Sequence, residues 1–77
     1  GRQLGPAVRA VYHLVRYDRH GGRDVVDVRD NGRVGTLVDT ARQHGGWVLK
    51  PTFNRRTGEW AVTDSDGNLF LAEEQIN

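Results

Sequence analysis

The sequence predicts an α+β domain in which a small, mostly antiparallel sheet of three to four strands packs against two helices. Two segments, residues 6–20 and 34–44, carry apolar side chains at helical spacing. Residues 47–54 alternate between apolar and polar side chains, as a half-buried strand does. The predicted order is helix, strand, helix, strand, strand, with a possible further short strand.

Length and composition predict one domain over residues 1–77, with residues 1–5 and 73–77 frayed. The chain has no cysteine, which excludes disulfides and thiolate metal sites. No apolar run reaches the length of a membrane-spanning helix, so we expect a cytoplasmic location and no membrane partner. The net charge is +1, so an interaction driven by positive charge must depend on where the cations lie.

The first predicted helix covers residues 6–20. Pro6 suits the first turn of a helix, and Gly21-Gly22 is a stop signal. One face would hold Leu4, Val8, Val11, Leu14 and Val15, and the opposite face Arg9, His13, Arg16 and His20. The β-branched and aromatic residues also permit a strand over residues 8–17. We favour the helix, because a strand would mix charged and apolar side chains on one face.

The middle of the chain predicts a strand, a turn and a helix. Residues 24–29 are typical of a short strand, and residues 30–32 of a turn. The helix over residues 34–44 starts with a variant capping box, in which Thr36 is paired with Asp39. Gly45-Gly46 predicts its end.

The last third predicts a hairpin. Pro51 cannot donate a ladder hydrogen bond, so the strand over residues 47–54 is expected at a sheet edge or at a bulge. A loop over residues 54–58 leads to a strand over residues 59–63. Asp66-Gly67 predicts a tight turn, and residues 69–71 a possible last short strand.

Two groups of basic residues are candidates for contact with nucleic-acid phosphates. The first is the predicted helix face, and the second is the Arg-Arg pair at the hairpin tip. The candidates are Arg9, His13, Arg16, Arg19, His20, Arg23, Arg55 and Arg56. The alternatives are a solvated helix face and an ordinary polar hairpin tip. Asp18, Asp24 and Asp27 could also neutralise part of the first group.

Large apolar residues have two interpretations. Trp47, Phe53 and Trp60 could stack on bases, but so small a core favours burial of these rings. Trp47, Leu49 and Phe53 also define a possible interface for a protein that adds a strand to the sheet edge.

Other site chemistries have weak support, and we expect no metal, cofactor or catalytic residue. The segment that starts at Asp64 superficially suggests a calcium loop, but Leu69 and Gln75 stand where such a loop needs Gly and Glu. The three histidines are too scattered to indicate a metal site.

Three functions follow from these patterns. The first is a small non-enzymatic module that binds DNA or RNA through the two basic groups. The second is a protein-interaction module, such as an inhibitor, an adaptor or a self-associating subunit, with a dimer possible. The third is a minimal metal-free ribonuclease that uses His13 or His20 with neighbouring arginines.

Overall fold

The computed structural model describes residues 10–76 as one antiparallel sheet with a single helix. The elements are β1 (Ala10–Tyr17), β2 (Arg23–Arg29), α1 (Val34–His44), β3 (Thr52–Asn54), β4 (Glu59–Thr63) and β5 (Leu69–Ile76). The five strands lie in the order β2-β1-β5-β4-β3. Helix α1 packs on one face, which we call the helix side, against β4, β5 and β2. The other face is the open side.

The predicted fold class is wrong, because the described residues form a mostly β structure with one helix rather than two helices on a smaller sheet. The part of the predicted first helix that is described forms β1 and the turn that follows it. Residues 6–9 of that prediction lie outside the described residues. Half of the residues of β1 are β-branched or aromatic, which favours a strand once a partner strand is present on each side.

The spacing of apolar residues in β1 resembles that of a helix, because both faces of the strand are covered at its centre. Leu14 points to the helix side and Val15 to the open side, yet both are fully buried. An interior strand buried on two faces loses the apolar–polar alternation that normally identifies a strand. The resulting apolar spacing also fits a helix, and sequence periodicity cannot separate the two.

Residues 73–76, which belong to the end predicted to be frayed, are part of strand β5. Strand β5 continues through Ile76 and pairs with β1 along its whole length, from Tyr17↔Leu69 to Ala10↔Ile76. Within this segment Glu73 is bonded across the sheet, because its carboxylate accepts hydrogen bonds from Tyr17 and Arg23.

Helix α1 has the predicted bounds, but its predicted capping box is absent. Arg33 occupies the N-cap position and makes no side-chain capping hydrogen bond. Because the helix begins at Val34, Thr36 lies within its first turn, and its hydroxyl donates to Asn31 Oδ1 at 2.6 Å. After the last turn the chain passes so close to the Asp64 carboxylate that a Cβ atom at Gly45 would collide with it, and the Phe70 ring would be in tight contact at 3.0 Å.

The core lies between α1 and the centre of the sheet. Its fully buried members come from β1, α1, β4 and β5, namely Leu14, Leu37, Ala41, Val62 and Phe70. With 11 residues, α1 is only about 16 Å long. It therefore leaves the β3 side of the sheet uncovered. Within residues 10–76, no helix is long and apolar enough to cross a membrane.

The predicted strand over residues 47–54 is interrupted. Val48 forms a bridge with Asp64, and regular pairing resumes only at Thr52, opposite Ala61. The interruption falls at Pro51, which has no N–H to donate. The predicted edge position is confirmed, because β3 is the last strand of the sheet.

Candidate nucleic-acid interface

The first basic group does not form one surface. On a strand, neighbouring side chains point to opposite faces, so Arg16 lies on the helix side and His13 on the open side. Arg19 and His20 lie in the turn between β1 and β2. Arg9 lies outside the described residues. The ladder that helical spacing predicts is therefore dispersed over two faces and a turn.

Arginines on the β1–β2 half of the sheet are neutralised by carboxylates. Arg16 contacts Asp24 at 3.0 Å and also donates to the His44 carbonyl oxygen at 2.8 Å. Arg23 contacts Glu73 at 2.6 Å.

The same neutralisation occurs within β2, where Arg29 contacts Asp27 at 2.7 Å. The hydrogen bond from Arg29, followed by that from the Val28 amide, lowers the pKa of the Asp27 carboxyl below its ordinary value. These arginines are paired with carboxylates of the protein, so little of their positive charge is available to a phosphate.

The two predicted basic groups also lie at opposite ends of the sheet. Strands β1 and β4 both run antiparallel to β5, so they run in the same direction. Arg19 and His20 follow the end of β1, whereas Arg55 and Arg56 precede the start of β4. The hairpin tip and the β1–β2 turn cannot contribute to one compact patch.

A different surface unites the second basic group with exposed aromatic rings. We call it the β3-edge surface, and it comprises Arg42, Trp47, Leu49, Lys50, Phe53, Arg55, Arg56 and Trp60. Six of these residues belong to the continuous edge segment 47–56. The other two join it through contacts described below.

The three rings of the β3-edge surface are solvent-exposed, so the prediction that they build the core is wrong. Trp47 is 83% exposed, Phe53 45% and Trp60 42%. Phe53 and Trp60 are cross-strand partners, with ring centroids 5.2 Å apart and planes tilted by 56°. Helix α1 is too short to cover them.

Positive charge is concentrated along the same edge. Between residues 42 and 62 the sequence has four cations, Arg42, Lys50, Arg55 and Arg56, and one carboxylate, Glu59. This gives the segment a net charge of +3 in a chain whose total is +1. None of the four cations forms an ion pair with any of the described carboxylates.

A shallow cleft of about 740 Å³ separates α1 from segment 46–51. Val38 and Arg42 line it from the helix, and Trp47, Lys50 and Pro51 line it from the edge segment. The cleft therefore places two cations and one highly exposed indole around a single opening.

The hairpin tip has a defined backbone. Asn54 Oδ1 accepts hydrogen bonds from the amides of Arg56, at 2.9 Å, and Thr57, at 3.3 Å. The Asn54 carbonyl accepts a third, from the Gly58 amide at 2.8 Å. This turn holds Arg55 and Arg56 at the exposed corner of the sheet.

The segment that superficially suggests a calcium loop is occupied by its own hydrogen bonds. The buried carboxylate of Asp64 accepts from the backbone amides of Gly46, Asp66 and Asn68 and from the Asn68 side chain. Burial raises the pKa of Asp64, but these hydrogen bonds outweigh it and lower the pKa overall. Among residues 10–76, no group of three potential metal ligands comes together.

Comparison with known proteins gives no functional lead. No protein-family model matches the chain, and neither the curated proteins nor the solved structures contain a match. The proposed function therefore rests on the geometry and charge of the chain.

Proposed function

We propose that the protein is a small non-enzymatic module that binds single-stranded nucleic acid through the β3-edge surface. The observation that carries this proposal is the combination of three exposed aromatic rings with four cations that have no carboxylate partner in the described structure. Exposed rings stack on bases and free cations contact phosphates, which is how single strands are bound without a strict sequence requirement. A cytoplasmic location stays part of the proposal.

The size of the surface fits a short stretch of single strand. Trp47 and Phe53 are six residues apart on an extended segment, so their backbones are separated by at most about 20 Å. Lys50 lies between them and is placed to contact a connecting phosphate. The extent is consistent with binding sites of about 4–16 nucleotides in other single-strand binders.

Exposed rings favour a single strand over a duplex. In a duplex the bases stack on one another, so their flat faces are not available to Trp47 or Trp60. A duplex can still contact Lys50, Arg55 and Arg56 through its phosphates, but it loses the contribution of stacking. That contribution is about 1–3 kcal/mol for each stacked base.

Strand addition by a protein partner at β3 is the competing function. It would use Leu49 and Phe53 as well, but the edge offers only a three-residue strand interrupted at Pro51. Short edges and proline are features that discourage pairing with another strand. The four free cations also have no role in such pairing.

Fluorescence anisotropy with labelled DNA and RNA strands of about 12 nucleotides tests the proposal, in about 50 mM NaCl. We expect binding of the single strands and weaker binding of the matching duplex. Trp47→Leu should weaken binding about 5- to 150-fold, the equivalent of 1–3 kcal/mol, because leucine has no ring to stack. Trp47→Phe should retain most of the affinity.

Val28→Ala is the control variant, because Val28 is 53% exposed but lies on β2, at the other edge of the sheet. It should leave the affinity unchanged. The proposal is wrong if no single strand binds, or if Trp47→Leu and Val28→Ala have equal effects. Binding of an extended peptide in place of nucleic acid would favour the competing function.

A further inference from the structure

A small cleft lies on the helix side of the sheet, next to the hairpin tip. Its volume is about 260 Å³, below the 300–1,000 Å³ typical of sites for drug-sized ligands. It is lined by Tyr12 on β1, Ala72 and Glu74 on β5, Glu59 and Trp60 on β4, and by Gly32 and Gly58. Its size suits one planar ring system rather than a larger ligand.

The cleft exists because a small side chain lies between two aromatic ones. Ala72 lies on β5, which is the strand between β1 and β4, and it lines the cleft together with Tyr12 on β1 and Trp60 on β4. Strands two apart are separated by about 10 Å, and a methyl group does not fill that space. The cleft therefore follows from the small size of the Ala72 side chain between the two larger ones.

The residues on two sides of the cleft, Trp60 and Tyr12, are packed against other parts of the protein. Phe53 packs against Trp60 on the side away from the cleft, with the ring centroids 5.2 Å apart. Gly32 lies so close to the other wall that a Cβ atom there would come within 2.8 Å of both Tyr12 and Ala72. These contacts fix the position of the Trp60 indole before a flat ligand binds.

Glu74 places a carboxylate on the helix side of this cleft, beside Tyr12. Its carboxylate accepts only a long hydrogen bond from the Tyr12 hydroxyl, at 3.5 Å, and pairs with none of the described cations. An ionised carboxylate has two oxygens and accepts hydrogen bonds only. It therefore selects a ligand edge that presents two adjacent donors and rejects an edge that presents acceptors.

We infer that this cleft, which we call the Trp60 cleft, binds an unpaired guanine base of the nucleic acid held by the β3-edge surface; the inference rests on the proposed function. Guanine is the base whose Watson–Crick edge has two adjacent donors, N1–H and the 2-amino group. Those donors fit the two oxygens of Glu74 while the ring stacks on Trp60. Arg55 and Arg56 lie in the same hairpin loop as Gly58, so phosphates beside the base would meet cations.

The experiment compares the affinity of the intact chain for an all-thymine strand of about 11 nucleotides with its affinity for the same strand carrying one central guanine. A bidentate contact predicts about 5- to 150-fold tighter binding of the guanine strand. Inosine lacks the 2-amino donor and should lose much of this gain. The 7-deaza analogue of guanine retains the Watson–Crick edge and should keep it.

Glu74→Gln should abolish the preference for guanine, because an amide cannot accept from both donors. Its affinity for the all-thymine strand should be equal to or higher than that of the parent chain. Asp66→Asn is the matched control, since it removes the same charge from an exposed side chain in the β4–β5 turn, at the end of β4 away from Gly58, and Asp66 does not line the cleft. It should retain the preference.

Equal affinity for the two strands would overturn the inference while leaving the proposed function in place. A guanine preference that survives Glu74→Gln would overturn it as well. If the chain binds neither the all-thymine strand nor the guanine strand, the proposed function itself is overturned.

Discussion

The hydroxyl of Tyr17 donates a 2.5 Å hydrogen bond to the carboxylate of Glu73, although the two residues are four positions apart in the register of β1 and β5. Four residues correspond to about 13 Å along a strand, so the two side chains reach towards each other over the open side of the sheet. The residues between them in that register are Val15 and Leu71. This explains why Val15 is fully buried on a face that no helix covers.

Tyr17→Phe should destabilise the fold by about 1 kcal/mol, because it removes a partly buried hydrogen bond to a charged group. For a domain of this size, that corresponds to a fall in Tm of about 4–8 °C, measured by thermal unfolding followed by circular dichroism. Tyr12→Phe is the control, since its hydroxyl makes only the 3.5 Å contact with Glu74. Equal effects of the two variants would contradict the bridging role of Tyr17.

Thr40→Val should stabilise the protein. The Thr40 hydroxyl is fully buried and, within the described structure, has no hydrogen-bond partner. Replacing it with a methyl group of similar shape removes the cost of its desolvation, about 1 kcal/mol. Chemical denaturation measures the change in the free energy of unfolding.

Thr36→Val provides the comparison for Thr40→Val, because it is the same substitution in the same helix. The Thr36 hydroxyl donates to Asn31 at 2.6 Å, so we expect this variant to lose stability. A loss of stability in Thr40→Val as large as that in Thr36→Val would show that the buried hydroxyl finds a partner in solution.

Acid should destabilise the fold partly through Asp64. A carboxyl whose pKa is lower in the folded than in the unfolded state contributes stability above its unfolded value, near 4, and loses it as the pH falls through the folded value. The pKa of Glu73 is also lowered, first by the hydrogen bond from Tyr17 and then by that from Arg23. The loss should begin as the pH falls towards 4 and continue below it.

Asp64→Asn isolates the contribution of Asp64 to this pH dependence. At pH 7 the variant should be less stable by about 1–3 kcal/mol, because an amide cannot accept every hydrogen bond that the carboxylate accepts. The gap between the two proteins in the free energy of unfolding should narrow below pH 4. Asp66→Asn, an exposed neighbour, should leave the gap near zero at both pH values. A constant gap for Asp64→Asn would contradict the role of its charge.

The salt dependence of nucleic-acid binding should change when the hairpin tip is neutralised. Each phosphate contact to a single strand contributes about −0.7 to the slope of log K against log salt concentration. The double variant Arg55→Ala with Arg56→Ala should therefore make the slope about 1.4 less negative. Arg19→Ala, which removes an exposed cation at the opposite end of the sheet, should leave the slope unchanged. A slope unaffected by the double variant would exclude the tip from phosphate contact.

Short-range sequence patterns correctly predict the parts of the fold that are determined by residues close together in the chain. Helix α1, the edge position of β3 and the hairpin between β3 and β4 follow from helical spacing, Pro51 and turn residues. The Arg-Arg pair at the hairpin tip is exposed for the same local reason. Their physical causes act within a few residues of the chain.

The candidate site was only partly predictable. Arg55 and Arg56 were candidates from the sequence, whereas the exposure of Trp60 was not, because a tryptophan in a short chain is ordinarily expected in the core. The signal that could have located the surface is the concentration of four cations and one carboxylate between residues 42 and 62. The net charge of the whole chain, which is +1, does not reveal this concentration of cations.

Local sequence patterns are enough to predict where the chain turns, which segment becomes helix α1, and where positive charge is concentrated. Long-range contacts make residues 10–17 an interior strand, since the second face of this strand is covered by Tyr17 and Glu73, which are 56 residues apart in the chain. The tertiary structure also decides which rings stay exposed, because that depends on how far an 11-residue helix reaches across five strands. Burial of this kind is a property of distant partners, and local spacing in the sequence carries no information about them.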